Sequence, residues 1–385
     1  MANTAQEIKT SFNTFFPAVE PQLFFSPGRI NLIGEHIDYN DGFVMPAAVD
    51  KGIWFAVAAN NTGSINIYSI DMQEKLTAPL NQIKKITGWQ NYLLGVIDQL
   101  QQHNYPIAGF DCVFGGNIPV GAGLSSSAAV ECGLGFALNS IFDLNMSRLE
   151  IALTGQKAEH TFPGVQCGIM DQFANMMGEE NHVLLLDTKT LAYESIPFAL
   201  ANHLLVLINT KVHHSLAGGE YNLRRRQCEE GFKILQEHYP SAKTFRDISP
   251  QQVIAGKNHL PPLVFKRCLF VTQEIGRTKK AAWLLKEQQL KAFGSLMSEA
   301  HEGLRTLYDV SCPELDFLQQ QALQYPQVLG SRMMGGGFGG CTLNLVEKEN
   351  ADAILSHITS AYQQQFGIEA EVYTVNISDG THALL

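Results

Sequence analysis

Basic charge is scarce in this sequence: Lys and Arg number 27 against 37 Asp and Glu, a net charge of −10 over 385 residues. That balance excludes non-specific binding to nucleic acid or to an anionic membrane, both of which need basic surface. It leaves room for a phosphate ligand, because a pocket needs only a few local cations and backbone N–H groups. Metal and redox spacings are missing too. The seven cysteines, at 112, 132, 167, 228, 268, 312 and 341, include no C-x-x-C pair, and the histidines include no H-E-x-x-H. Reduced, mostly buried thiols in a reducing compartment are expected. No apolar run reaches the roughly 18 residues of a membrane span, and Met1–Thr14 lacks the charged-then-apolar plan of a leader. The expectation is a cytoplasmic protein. No internal repeat or low-complexity segment stands out.

What is present is an ordinary globular composition, 45% hydrophobic and 17% charged, in a length that suggests two domains or one large one with a central crevice. Residues 4–16 read as a short amphipathic helix and 22–25 as a strand. Residues 52–59 and 64–70 read as a strand pair joined by Asn60-Asn61-Thr62-Gly63. Leu93, Leu94, Ile97 and Leu100 recur on one face of a helix over 90–103, and 110–114 is a further strand. Helices are expected over 126–141, from Ser147 (with Glu150 at capping-box spacing), over 220–239, 264–286, 288–308 and 350–366. Strands are expected at 182–187, 203–209, 341–347 and 368–376. Residues 240–262 lack periodicity and read as a loop. The pattern is α+β, with a domain boundary near 190–210.

The densest chemistry lies between Gly28 and Gly42: Gly28-Arg29-Ile30-Asn31-Leu32-Ile33-Gly34-Glu35-His36-Ile37-Asp38-Tyr39-Asn40-Asp41-Gly42. Alternation puts Arg29 and Asn31 on one face of a strand and the apolar residues on the other. The polar face runs into a turn where Glu35, His36 and Asp38 converge, a set suited to a ligand with many hydroxyls. This run resembles the galactokinase signature of the GHMP sugar kinases, with Ile37 where that signature usually carries a threonine.

A second motif, Pro119-Val120-Gly121-Ala122-Gly123-Leu124-Ser125-Ser126-Ser127, precedes an alanine- and glycine-rich helix. Its glycines let successive N–H groups point inward, and the helix N-terminus adds partial positive charge, which together make an anion cradle. No lysine follows the last glycine, so it is not a Walker A loop, and a turn of this kind taken alone is more often only a helix cap. It resembles the phosphate loop of the same kinases. A third cluster holds Glu159, Gly164, Gly168 and Asp171, with Asp171 at or near a helix start. A fourth, Ser331-Arg332-Met333-Met334-Gly335-Gly336-Gly337-Phe338-Gly339-Gly340, resembles the glycine-rich third motif of the family, with Gly336 and Gly337 in supporting roles. A fifth, residues 209–222, carries Tyr221, read otherwise as a half-buried packing residue. The adjacent Arg224-Arg225-Arg226 points three ways around a helix and reads as solvated.

Five motifs in order extend the resemblance over nearly the whole chain. It implies an α+β, two-domain GHMP-kinase-like fold with a ferredoxin-like C-terminal domain and the active site in the interdomain cleft. Residues 1–200 would carry the sugar signature and phosphate loop, and 201–385 the glycine-rich motif. The reaction implied is transfer of the ATP γ-phosphoryl group to the anomeric hydroxyl of α-D-galactose. Catalysis would fall to Asp171 and Arg29, and sugar binding to Glu35, His36, Ile37, Asp38 and Tyr221. Nucleotide binding would involve Ser69 and Gly121, Ala122, Gly123, Leu124, Ser125, Ser126 and Ser127. Mg2+ would be held by Ser127 and Glu159. A guanidinium alongside makes a carboxylate a weaker base, so Asp171 stays open as a base or an orienting group. Galactose and ATP are the expected partners, with neither nucleic acid nor membrane, and a monomer is the expected state. The alternatives are a kinase for N-acetylgalactosamine or another small sugar, and a non-catalytic galactose/ATP sensor. The uninterrupted Ser125–Ala129 stretch speaks against the sensor.

Overall fold

The computed structural model describes residues 4–119, 121–198, 200–213 and 217–384. Val120 of the second motif and residues 214–216 of the fifth lie outside them. Helix α1 (Ala5–Phe15) opens on a capping box between Thr4 and Glu7 and buries Ile8 and Phe12. Then come β1 (Gln22–Asn31), β2 (Phe43–Val44), β3 (Pro46–Ala59), β4 (Ser64–Ser69), β5 (Glu74–Pro79), α2 (Gln90–Gln102), β6 (Phe110–Gly116), α3 (Ser126–Ile141), α4 (Arg148–Thr161), α5 (Met170–Met177), β7 (His182–Asp187) and β8 (Tyr193–Pro197). The rest of the chain forms β9 (His203–His213), α6 (Ala217–His238), α7 (Pro250–Ala255), α8 (Pro262–Lys286), α9 (Leu290–Gly303), α10 (Pro313–Ala322), β10 (Val328–Met333), β11 (Gly339–Glu347), α11 (Ala351–Phe366), β12 (Glu371–Val375) and β13 (His382–Leu384).

The strands make a six-stranded sheet in the order β13-β1-β3-β6-β4-β5, a four-stranded sheet β10-β11-β9-β12 and a small sheet β2-β7-β8. In the four-stranded sheet the chain runs strand, helices, two strands, helix, strand, which is the ferredoxin-like plan. One apolar core packs helices α2 to α5 on the first sheet, with Phe55, Phe114, Leu134 and Phe173 in it. A second lies between the two large sheets, where Ile30, Leu32 and Ala47 meet Leu205, Leu207, Leu343 and Leu345. Ala122 and Leu124 belong to that second core, so the phosphate loop is anchored in the seam between the sheets. Among the described residues no helix is long and apolar enough to cross a membrane.

Three expectations need correction. The hairpin over 52–70 does not form, because β6 lies between β3 and β4, antiparallel to the first and parallel to the second. The Asn60–Gly63 turn reverses the chain but leaves a strand-wide gap, which β6 fills with the apolar Phe110, Cys112 and Phe114. The supposed loop at 240–262 contains α7, opened by a Ser249–Gln252 capping box with Pro250 in its first turn, in a segment too short to show a period. Arg224 is not solvated: it is buried, and it donates to the Tyr308 carbonyl at 2.9 Å and the Asp309 carbonyl at 2.7 Å. The chain's last described strand, β13, pairs with β1 in the first sheet.

Candidate active site

The site begins where β1 leaves its regular pairing with β3, at a register shift between Pro27 and Arg29. A Cβ on Gly28 would come within 2.8 Å of the Leu124 carbonyl oxygen, so glycine there lets the phosphate loop lie directly on the strand. The Arg29 N–H donates to that same carbonyl at 3.0 Å. The Arg29 side chain is buried and clasps Asp171 with two donors, Nε to Oδ1 at 2.7 Å and Nη2 to Oδ2 at 2.8 Å. Its third nitrogen donates to the Gly123 carbonyl at 2.5 Å. This bidentate fork fixes both position and plane of the carboxylate, and Asp171 sits in the first turn of α5.

Ser125 precedes α3 in the left-handed region (φ 56°) and gives that helix no capping hydrogen bond. Its hydroxyl donates instead to Asp171 Oδ2 at 2.5 Å. The first N–H groups of α3 are thereby left to a ligand, which is how helix N-termini bind phosphate. Ala122 and Leu124 have buried side chains and present backbone alone, while Ser126 is exposed and Gly121, Gly123 and Ser127 are half-buried.

The sugar-signature turn is gripped from the C-terminal half of the chain. Glu35 is buried, accepting from Gly335 N–H at 2.8 Å and pairing with the fully buried Arg332 at 3.0 Å. Gly34 N–H donates to buried Glu274 of α8 at 3.1 Å. His36 has a positive φ of 61°, and its ring lies 5.3 Å from that of Tyr221. Burial pushes the His36 imidazole down to about 3, so it is neutral. Asp38 lies against Gly168, where a Cβ would fall 2.0 Å from its Oδ2. Burial, with Asp171 and Glu35 adding negative charge, pushes its carboxyl up to about 7. Ile37 is fully buried in the apolar core, surroundings in which a hydroxyl would gain little and an isoleucine packs well. Ser69 is buried at the end of β4, its hydroxyl accepting from Met72 N–H at 3.3 Å. Among the described residues no hydrogen bond joins it to the phosphate loop.

Glu159 is buried on α4, and burial followed by the charge of Asp171 pushes it up to about 7. The Ser127 hydroxyl bears on it, and Gln172 Nε2 donates to it at 2.8 Å while also donating to Glu131 at 3.0 Å. Glu131 was not singled out from sequence, though an acid inside the apolar helix α3 is the sign that should have marked it. Arg332, Tyr39 and Tyr308 were likewise missed as site residues. Tyr39 and Tyr308 are 269 residues apart, and Arg332 donates to the Asn31 carbonyl 301 residues away. The donor set of Ser127 and Glu159 is all hard oxygen, and Glu159 has no cation beside it among the described residues. Both facts fit Mg2+, which takes one or two protein oxygens and completes its shell with phosphates and water. Among the described residues no group of three or more His, Cys, Asp or Glu is placed to hold a metal.

Arg29, Asp171, the α3 N-terminus and the Glu35–Asp38 turn therefore come together, roofed by the glycine-rich run. This arrangement suits phosphoryl transfer, which asks a protein mainly for positioning and charge stabilisation. Comparison with known proteins agrees. Residues 91–179 match the GHMP kinases N terminal domain, 10–59 the galactokinase galactose-binding signature, and 281–364 the GHMP kinases C terminal. The galactokinase of Bacillus subtilis strain 168 is 39% identical over 98% of this chain and 99% of its own length. That of Clostridium tetani is 37% identical over 98% and 97%. The crystal structure of Lactococcus lactis galactokinase complexed with galactose superposes with a TM-score of 0.94 at 35% identity, covering 98% of both chains. The chain belongs to the galactokinase family of the GHMP kinases.

Proposed function

We propose that this chain is a galactokinase, transferring the γ-phosphoryl group of ATP to the anomeric hydroxyl of α-D-galactose to give galactose 1-phosphate. The observation that carries this reading is the Arg29–Asp171 fork set between the α3 N-terminus and the sugar-signature turn. In it the nucleotide phosphates lie against the backbone of residues 121–127, and the sugar lies against His36, Asp38 and Tyr221. Asp171 takes the hydrogen bond of the attacking hydroxyl and aims it in line. Arg29, already forked onto Asp171, holds that carboxylate in place and offsets charge that develops at the transferred group. Ser127 and Glu159 would hold Mg2+, which when bound screens the phosphate charge. Glu35, tied to Arg332 and Gly335, shapes the turn, and Ile37 packs beneath it.

Residues 1–200 supply the fork, the loop and the signature, and residues 201–385 supply the glycine-rich run and Tyr221. Seven free cysteines, six of them buried, suit a reducing cytoplasm, and a monomer contains every group named. The test is ADP release from ATP and Mg2+ with galactose, N-acetylgalactosamine, glucose, arabinose and mevalonate offered separately. Turnover with galactose well above the others is expected. Preference for another acceptor overturns the substrate, and silence with all of them alongside ATP and galactose binding leaves a sensor.

A further inference from the structure

Behind the sugar-signature turn runs a hydrogen-bonded chain of side chains that the transfer chemistry does not use. His36 Nε2 lies 3.1 Å from the Gly336 carbonyl oxygen, and His36 Nδ1 lies 2.7 Å from the Tyr39 hydroxyl. The Tyr39 hydroxyl lies 2.9 Å from that of Tyr308, which lies 3.2 Å from Cys228 Sγ. Tyr308 and Cys228 are fully buried. The direction of every bond can be worked out. A carbonyl only accepts, so the His36 proton is on Nε2. The neutral ring then accepts at Nδ1, so Tyr39 donates to it, and the Tyr39 oxygen is left to accept from Tyr308. The Tyr308 oxygen in turn accepts from the Cys228 thiol. Each group has one arrangement, and the chain joins α6, the turn after α9, the signature turn and the glycine-rich run.

We propose that Tyr308 is a positioning residue for sugar binding, acting through Tyr39 to lock His36 as its Nε2–H tautomer and so to fix the Gly336 carbonyl and the ring of Tyr221 against the sugar. Ring packing follows the same line: His36 lies 4.9 Å from Tyr308 and 5.3 Å from Tyr221, and Tyr39 lies 5.3 Å from Tyr221. Without the Tyr308 hydroxyl the Tyr39 hydroxyl loses the donor that sets its direction. It can then rotate, and His36 is free to change tautomer or turn away from Gly336. Among the described residues none of these hydrogen bonds reaches residues 121–127, so the damage falls mainly on the sugar.

This inference rests on the sugar-kinase reading above, and its test separates the two. Steady-state kinetics of Tyr308→Phe should show KM for the sugar raised about tenfold, the size expected for one buried hydrogen bond, with KM for ATP and kcat within twofold of the parent. Tyr39→Phe should do the same, and the double variant should be no worse than the worse single one, because both break one chain. Nitrogen-15 NMR of labelled histidine in the parent protein, which needs no substrate, should find Nε2 protonated and Nδ1 an acceptor, and Tyr308→Phe should disturb that pattern. A parent His36 protonated on Nδ1 overturns the proposal. So does an unchanged sugar KM in Tyr308→Phe, or a rise shared equally by sugar and ATP. If the parent prefers another acceptor, the galactose reading fails, and the same KM split is read with that acceptor.

Discussion

Two carboxylates a short way apart in this site live under opposite conditions. Asp171 has a cation built in: Arg29 meets both its oxygens, and Ser125 adds a further donor. Glu159 has no Lys or Arg beside it among the described residues. Its donors are the neutral Gln172 amide, the Ser127 hydroxyl and the Cys167 thiol, the last at 3.4 Å. Burial and the charge of Asp171 push it up, and Glu131 beyond the same amide is pushed up as well. Asp171 thus has its countercharge built into the fold, and Glu159 does not. On the proposed function, the charge for orienting the sugar hydroxyl is permanent, and the charge for the nucleotide would arrive with it.

The contrast breaks most sharply at Asp171. Asp171→Asn should lower kcat by about 10²–10⁴-fold while thermal unfolding shows a folded protein; near-normal turnover would remove Asp171 from the mechanism. On the other side, Gln172→Leu takes away the amide that aims Glu159 and Glu131. Outer partners of metal ligands are typically worth ~10–100-fold in affinity, so the half-saturating Mg2+ should rise by that factor, with sugar KM little changed. An equal rise in both would make the amide a general packing element.

The smallest effect is on stability. The Asp38 carboxyl is held near 7 in the folded chain against an ordinary 3.8. Between those values the folded state binds more protons than the unfolded one, so stability falls as pH rises through this window. Asp38→Asn should therefore unfold at a higher temperature than the parent at pH 8, with the difference gone at pH 4. A constant difference across that range would assign the shift to another group.

Local signals carried much of this site. The Ser147–Glu150 box, the α3 limits and the placing of Asp171 in the first turn of α5 came through, because helix caps and periods are written in neighbouring residues. Arg29 and Asp171 could be named as a pair through the family resemblance alone, since 142 residues separate them. The grip of Arg332 on Glu35 and the Tyr308–Tyr39 contact could not be read, because nothing local marks a residue whose partner lies across the fold. The failed hairpin at 52–70 has the same origin: turn residues announce a reversal, and the strand that fills the gap comes from 40 residues on. Tyr221 was placed by resemblance, and its ring does lie beside His36.

The tail returns to the first sheet. Strand β13 lies along β1 at Leu23–Phe25, and Thr381 is hydrogen-bonded to Asn175 of α5 and to Ser26, while its carbonyl accepts from Arg148. Helix α5 is the one that carries Asp171 in its first turn. On a ribosome, that strand and those bonds arrive only after the whole ferredoxin-like half has been made, so helix α5, like the loop wedged between the two large sheets, cannot finish seating until residues of that half are available.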